Sequence, residues 1–184
     1  DYPHQFSGGM RQRAMIALAL ALNPALVIAD EPVTALDVIV QRQVLDVMRD
    51  LQARLGLAMI LVTHDMAVVA YACDRVAVMY AGIVVESGLV REVLERPLHP
   101  YTMGLTHAFP DVHGDTGELV PIEGSPPNLL HPPVGCRFAP RCPFAQERCR
   151  AEAPPAITEG DHMVACWRAG EAPALRDAAA RPAT

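Results

Sequence analysis

Ala25-Leu26-Val27-Ile28-Ala29-Asp30-Glu31 is the stretch on which the fold turns. A continuous apolar run stops at two carboxylates, the pattern of a short strand buried on both faces. Upstream, Ser7-Gly8-Gly9 opens a helical stretch, Met10 to Leu22, that Asn23-Pro24 stops. Downstream, Asp37 to Leu55 carries Val40, Val44, Met48, Leu51 and Leu55 at steps of three and four, and Gly56 closes that helix. Leu57 to Thr63 predicts a second buried strand and Asp65 to Ala72 a short helix. Arg75 to Tyr80 and Ile83 to Glu86, joined by Ala81-Gly82, predict a hairpin. Strand and helix in alternation imply an α/β domain with a mainly parallel sheet covered by helices.

The texture changes after Arg96. Residues 1–96 form the α/β part, 97–168 an extension, and 169–184 an Ala/Pro-rich tail expected to be disordered. Residues 110–135 are rich in Pro and Gly without a period, as in a linker or irregular wrap. At 184 residues the chain has room for one core and a small annex, and 51% apolar content excludes a disordered protein. A net charge of −6 argues against nucleic acid as a partner. No run is long enough to span a membrane, since Met15 to Leu22 is stopped by Asn23-Pro24. The opening Asp1-Tyr2-Pro3, without Met or a signal peptide, reads as a truncated start.

Three clusters carry chemistry. Phe6-Ser7-Gly8-Gly9-Met10 pairs a hydroxyl with two glycines at a helix N-terminus, a phosphate-binding design as well as an ordinary turn. Asp30-Glu31 lies at the C-terminal edge of a sheet strand, where α/β folds bind ligands. One carboxylate there can hold Mg²⁺, and the second can orient or deprotonate a water for in-line attack on a phosphate. The bland alternative is a solvated acidic turn. Thr63-His64-Asp65 ends the next strand, where an imidazole either reaches the same phosphate or is structural. Thr34 and Asp37 also fit a capping box for the long helix.

In this order the clusters resemble the C-terminal half of an ABC ATPase nucleotide-binding domain, over roughly residues 1–168. Phe6-Ser7-Gly8-Gly9-Met10 is similar to the ABC signature, Leu26 to Asp30 to Walker B, and Glu31 to the catalytic glutamate. Thr34-Ala35-Leu36-Asp37 is similar to the D-loop and His64 to the H-loop. Pro3 to Arg13, Asp74 to Gly82, His99-Pro100-Tyr101-Thr102 and Gly124-Ser125-Pro126-Pro127 resemble the oligopeptide/dipeptide importer group, much of whose pattern nickel importers share. Val33, where Thr is usual, and Ile83, where a basic residue is common, depart from that pattern.

The resemblance implies a transport-coupled ATPase subunit using ATP and Mg²⁺. Glu31 and His64 would be catalytic, Asp30 would hold Mg²⁺, and Ser7, Gly8, Gly9 and Asp37 would contact nucleotide. The implied partners are a second ABC ATPase subunit in a head-to-tail pair, two membrane-spanning permease subunits and, indirectly, an extracytoplasmic peptide-binding protein. The implied location is peripheral, at the cytoplasmic face of the cell membrane. No Gly-x-x-x-x-Gly-Lys-Ser/Thr phosphate loop occurs in the chain, so this stretch alone is expected to be inactive. A non-transport ABC ATPase and a catalytically inert metal-binding remnant are the rival readings.

Four of five cysteines fall late, as Cys136-x5-Cys142-x6-Cys149-x16-Cys166. The spacing suits neither common zinc sites nor ferredoxins, and says only four thiolates and a soft metal. The rival is a set of buried thiols without metal. The resemblance implies a [4Fe-4S] cluster, with Zn²⁺ the alternative. Cys73 reads as a core thiol outside the set.

Overall fold

A computed structural model describes residues 2–107 and 122–179. Two compact units make up the chain, Asp1–Cys73 and Asp74–Thr184. The division between compact units falls at 73/74, inside the stretch expected to form the α/β part. The reason is strand pairing: the hairpin joins the later unit through Glu86↔Val164 and Ser87↔Met163.

In the first unit, α1 (Gly8–Leu20) is capped by Ser7, whose Oγ accepts from the Met10 amide at 3.3 Å. Strand β1 (Leu26–Asp30) follows, then α2 (Val38–Leu55), which ends at Gly56 in the left-handed region with φ 62°. Strand β2 (Ala58–Val62) pairs with β1 in parallel from Leu26↔Ala58 to Asp30↔Val62, and α3 (Met66–Ala72) starts from an Asp65 cap. Val33, Val44, Leu45, Met48 and Val68 form the core, with Ala29, Met59 and Leu61 packed against it. The strands are covered on one face only. Ile28 and Ile60 are 64% and 49% exposed, so the expectation of strands buried on both faces does not hold among the described residues.

The second unit begins with β3 (Arg75–Tyr80) and β4 (Ile83–Leu89), antiparallel around Ala81-Gly82, both of which have positive φ. Helices α4 (Val90–Glu95), α5 (Pro100–His107) and α6 (Glu147–Ala151) follow, then strands β5 (Ile157–Glu159) and β6 (His162–Val164). The sheet order is β3-β4-β6-β5, antiparallel at every pairing. A mainly parallel sheet is thus corrected to one parallel pair and one four-stranded antiparallel sheet. Two tight connections produce this result, Ala81-Gly82 and the Gly160 turn, because parallel strands need a long crossover.

The extension is seated on the hairpin. Phe138 is 2% exposed and joins Val78, Tyr80, Val85 and Val93 in one core. Arg141 donates to the Ile122 and Glu123 carbonyls at 2.8 Å each and to the Tyr80 hydroxyl at 3.3 Å, while Arg137 donates to the Ala81 carbonyl. Helix α7 (Ala172–Ala179) occupies part of the expected disordered tail. Ala172 and Leu175 are buried against Met103, which supplies the apolar contact that orders it. Residues 180–184 and the 110–121 portion of the expected linker lie outside the described residues; 122–135 contain no helix or strand.

Candidate functional site

The first cluster forms where β1 and β2 end side by side. Glu31 follows β1 with φ 46°, and its amide donates to the Val62 carbonyl at 2.8 Å, extending the parallel pairing. Its carboxylate is braced twice. Oε2 accepts from Thr34 Oγ1 at 2.8 Å, and Oε1 accepts from the His64 amide at 3.1 Å and lies 2.7 Å from His64 Nδ1. The hydrogen bond from His64, then that from Thr34, lowers the Glu31 pKa below its ordinary 4.5. The same carboxylate raises the pKa of His64 above 6.5. Both side chains remain open to solvent, His64 at 81% exposure. Asp30 is exposed beside them, and among the described residues no hydrogen bond or ion pair engages its carboxylate.

Thr34 does not cap the long helix. Its hydroxyl is committed to Glu31, and Asp37 is the cap, accepting from the Val40 amide at 2.9 Å. The glycines of Ser7-Gly8-Gly9 have a role that the sequence did not disclose. A Cβ on Gly8 would lie 2.9 Å from Leu36 Cδ2, and one on Gly9 2.6 Å from Val40 Cγ1. The start of α1 packs on the turn that carries Asp37, and side chains there would hold the two apart. Among the described residues no hydrogen bond links Ser7 to Glu31 or His64.

The four late cysteines line one small cavity, volume about 20 Å³, together with His99 and Phe138. They are brought together by backbone contacts such as Cys136 N–H to the Cys149 carbonyl at 2.8 Å. Gly135 permits that approach, since a Cβ there would fall 2.3 Å from the same carbonyl oxygen. Burial pushes the Cys142 thiol up to about 12 and the Cys166 thiol to about 11, and raises Cys136 as well. Among the described residues no group of three or more His, Cys, Asp or Glu is placed to hold a metal ion. What the structure shows of the expected four-cysteine set is four residues, none in a disulfide, around one shared cavity. Cys73 lies in the other unit, half-buried at the end of α3 rather than in a core.

Beside the cavity sits a polar network that the sequence reading left without a role. Glu86 is fully buried in β4 and accepts from the Leu98 amide at 2.7 Å and the His99 amide at 3.0 Å; His162 Nε2 lies 2.7 Å from its Oε1. His99, 1% exposed, accepts from the Tyr101 amide at Nδ1 (3.0 Å), and burial lowers its pKa to about 4. An acid placed among the apolar residues of a hairpin strand was the available signal for Glu86.

Residues 85–149 match the family model described as oligopeptide/dipeptide transporter, C-terminal region, and residues 1–34 match that of the ABC transporter. The oligopeptide transport ATP-binding protein OppD of Haemophilus influenzae is 50% identical over 172 residues, 92% of this chain and 53% of its own length. The dipeptide transport ATP-binding protein DppD of Bacillus subtilis is 49% identical over 168 residues, 91% of this chain and 50% of its own. The chain is thus similar to ATP-binding subunits of oligopeptide and dipeptide ABC transporters over most of its own length. It spans about half the length of the curated relatives it matches. The ABC transporter match takes in Ser7, Gly8, Gly9, Asp30 and Glu31, whereas the C-terminal-region match takes in His99, Cys136, Cys142 and Cys149. Among solved structures, cbiO1 from Clostridium perfringens, part of the ABC transporter complex cbiONQ, is 34% identical with a TM-score of 0.48, covering 50% of this chain and 37% of that one.

Proposed function

We propose that the chain is part of an ATP-hydrolysing subunit that powers peptide uptake through an ABC importer. The observation that carries this reading is the Glu31–His64 pair at the C-terminal ends of adjacent parallel strands. Glu31 is held ionised and aimed by His64 and Thr34, which suits a base or water-orienting group at a γ-phosphate. His64, whose pKa its carboxylate neighbour raises, offers positive charge when protonated, where negative charge develops. The unengaged Asp30 carboxylate is a hard oxygen ligand and fits Mg²⁺, which when bound neutralises phosphate charge. Ser7, Gly8 and Gly9 present a helix N-terminus to a nucleotide held by a second ABC subunit, and Asp37 sits in the turn that packs on them.

The partners in this reading are that second subunit, two permease subunits and, indirectly, an extracytoplasmic peptide-binding protein. The protein is peripheral at the cytoplasmic face of the membrane. No described helix is long and apolar enough to cross it. The names of the relatives support oligopeptides or dipeptides as cargo. In the full-length protein assembled with its partners, Glu31→Gln should reduce ATP turnover about 10²–10⁴-fold while ATP still binds. Wild-type turnover in that variant would refute the assignment.

The cysteine ring fits a soft metal centre in donor chemistry, since four sulfurs face one cavity. Cys136, Cys142, Cys149 and Cys166 would hold a [4Fe-4S] cluster, which cross-links a loop-rich segment and can carry one electron. The 20 Å³ cavity favours the second reading, a single Zn²⁺, unless the loops part on loading. Iron and acid-labile sulfide analysis after anaerobic purification separates them. Stoichiometric zinc without iron would reject the cluster, and no metal would reject both.

A further inference from the structure

The turn between β1 and α2 holds two non-glycine residues in the left-handed region, Glu31 at φ 46° and Ala35 at φ 62°. Side chains adopt that region at a cost, which persists where surrounding contacts over-determine the backbone. Here the turn is closed on itself. The Thr34 amide donates to the Glu31 carbonyl at 3.2 Å and the Leu36 amide to the Val33 carbonyl at 3.3 Å. Thr34 Oγ1 adds its bond to Glu31 Oε2 at 2.8 Å. Val33, 3% exposed, fixes the middle of the turn in the core, so Glu31 sits on one side of an anchor and Leu36 on the other. Leu36 is what the start of α1 meets. A Cβ on Gly8 would lie 2.9 Å from Leu36 Cδ2, so the helix comes this close only because Gly8 has none. Among the described residues no hydrogen bond runs from Ser7 to Glu31 or His64, and packing on Leu36 connects the two clusters instead.

We propose that Leu36 is a positioning residue for Glu31, carrying the seating of the α1 N-terminus through the closed 31–36 turn to the carboxylate. The inference rests on the reading of Glu31 given above. A ligand seated on Ser7-Gly8-Gly9 presses α1 against the Leu36 side chain. Close-packed groups pass a small displacement on rather than absorb it. A turn tied by three hydrogen bonds has no slack, so Leu36 and Glu31 move together about Val33. Occupancy of the helix end thereby sets the aim of the carboxylate, although Leu36 itself touches no reacting group.

The test measures steady-state ATP turnover of the full-length protein assembled with its partners. The variants are Leu36→Ala, Leu36→Met, Gly8→Ala and the double variant Gly8→Ala/Leu36→Ala. Leu36→Ala should lower kcat about 10–100-fold with KM for ATP changed less than about twofold, because the carboxylate loses its aim while the nucleotide keeps its contacts. Leu36→Met, which keeps the volume, should stay within about threefold of wild-type kcat. Gly8→Ala should lower kcat by driving its Cβ into Leu36. In the Leu36→Ala background that methyl has room, so the two losses should overlap rather than multiply. A residue that only supports the fold would lower the unfolding midpoint and leave kcat of the folded protein at its wild-type value. If Leu36→Ala does not fold, Leu36→Val, which has no Cδ atom, carries the same cycle. Wild-type kcat in the folded Leu36 variant, or losses that multiply in the double variant, overturns the proposal alone when Glu31→Gln is inactive. Wild-type turnover in Glu31→Gln overturns the reading of Glu31 as well.

Discussion

The two units place polar groups in opposite ways. In Asp1–Cys73, Glu31, His64 and Asp30 lie within reach of solvent at a strand edge, with Glu31 held by Thr34 and by His64 and the Asp30 carboxylate unengaged among the described residues. In Asp74–Thr184, Glu86 and His99 are sealed inside and tied to residues up to 76 positions away. The open arrangement suits groups that must meet a ligand arriving from solvent, and it contributes little to stability. The sealed arrangement holds loops that lack a core of their own, and it is unforgiving of loss.

The sharpest way to break this contrast is to remove each acid in turn. Glu86→Leu leaves the amides of Leu98 and His99 and the His162 ring without their acceptor, at about 1–3 kcal/mol for each group left unsatisfied. Glu31→Gln should leave the unfolding midpoint of the full-length protein nearly unchanged. Urea unfolding of both variants decides it, and equal effects would erase the distinction.

A smaller effect comes from the glycines. Gly135→Ala would put its Cβ against the Cys149 carbonyl oxygen and 2.7 Å from the Arg150 carbonyl carbon, backbone atoms that cannot swing aside. It should therefore cost the loop its Cys136–Cys149 hydrogen bond and lower metal content. Gly9→Ala meets only the Val40 side chain and should cost about 1–3 kcal/mol, with metal content unaffected. Metal analysis and thermal unfolding of the two variants separate these outcomes.

The finest test is a titration. His64 should titrate above 6.5 by NMR and return toward that value in Glu31→Gln. The raised His64 pKa means its share of the pairing is complete below pH 6.5 and fades as pH rises through the folded value. The lowered Glu31 pKa means its share is complete above pH 4.5 and fades as pH falls. The pair is therefore strongest between those limits. A His64 that titrates at its ordinary value would show the hydrogen bond to be absent in solution.

Much of the first unit was legible because its signals are local. The apolar run into Asp30, the three-and-four stripe of α2 and the stop at Gly56 each announce themselves within a few residues. The packing role of Gly9 was not legible, because Val40 lies far along the chain and a glycine beside a helix start already has a ready explanation. In the second unit the hairpin was legible from Ala81-Gly82, but its pairing with β6 was not, since three-residue strands carry no usable period. The cysteines could be grouped by count alone. The acid that fixes the loop beside them could not, because Glu86 reads as a polar residue on a strand and only the fold reveals three donors facing it. The order of α7 escaped for a related reason: an Ala-rich segment gains structure only from the partner that receives Leu175.

Glu31 holds a left-handed backbone, φ 46°, that glycine or asparagine would adopt with less strain. Selection for thermostability alone should therefore erode this position, replacing the acid with a residue better suited to the bend. Lineages kept under demand for the proposed transport activity should retain it against that pull. A library sorted once for heat resistance and once for growth on peptides would diverge at this residue before its neighbours, exposing a local trade between durability and work.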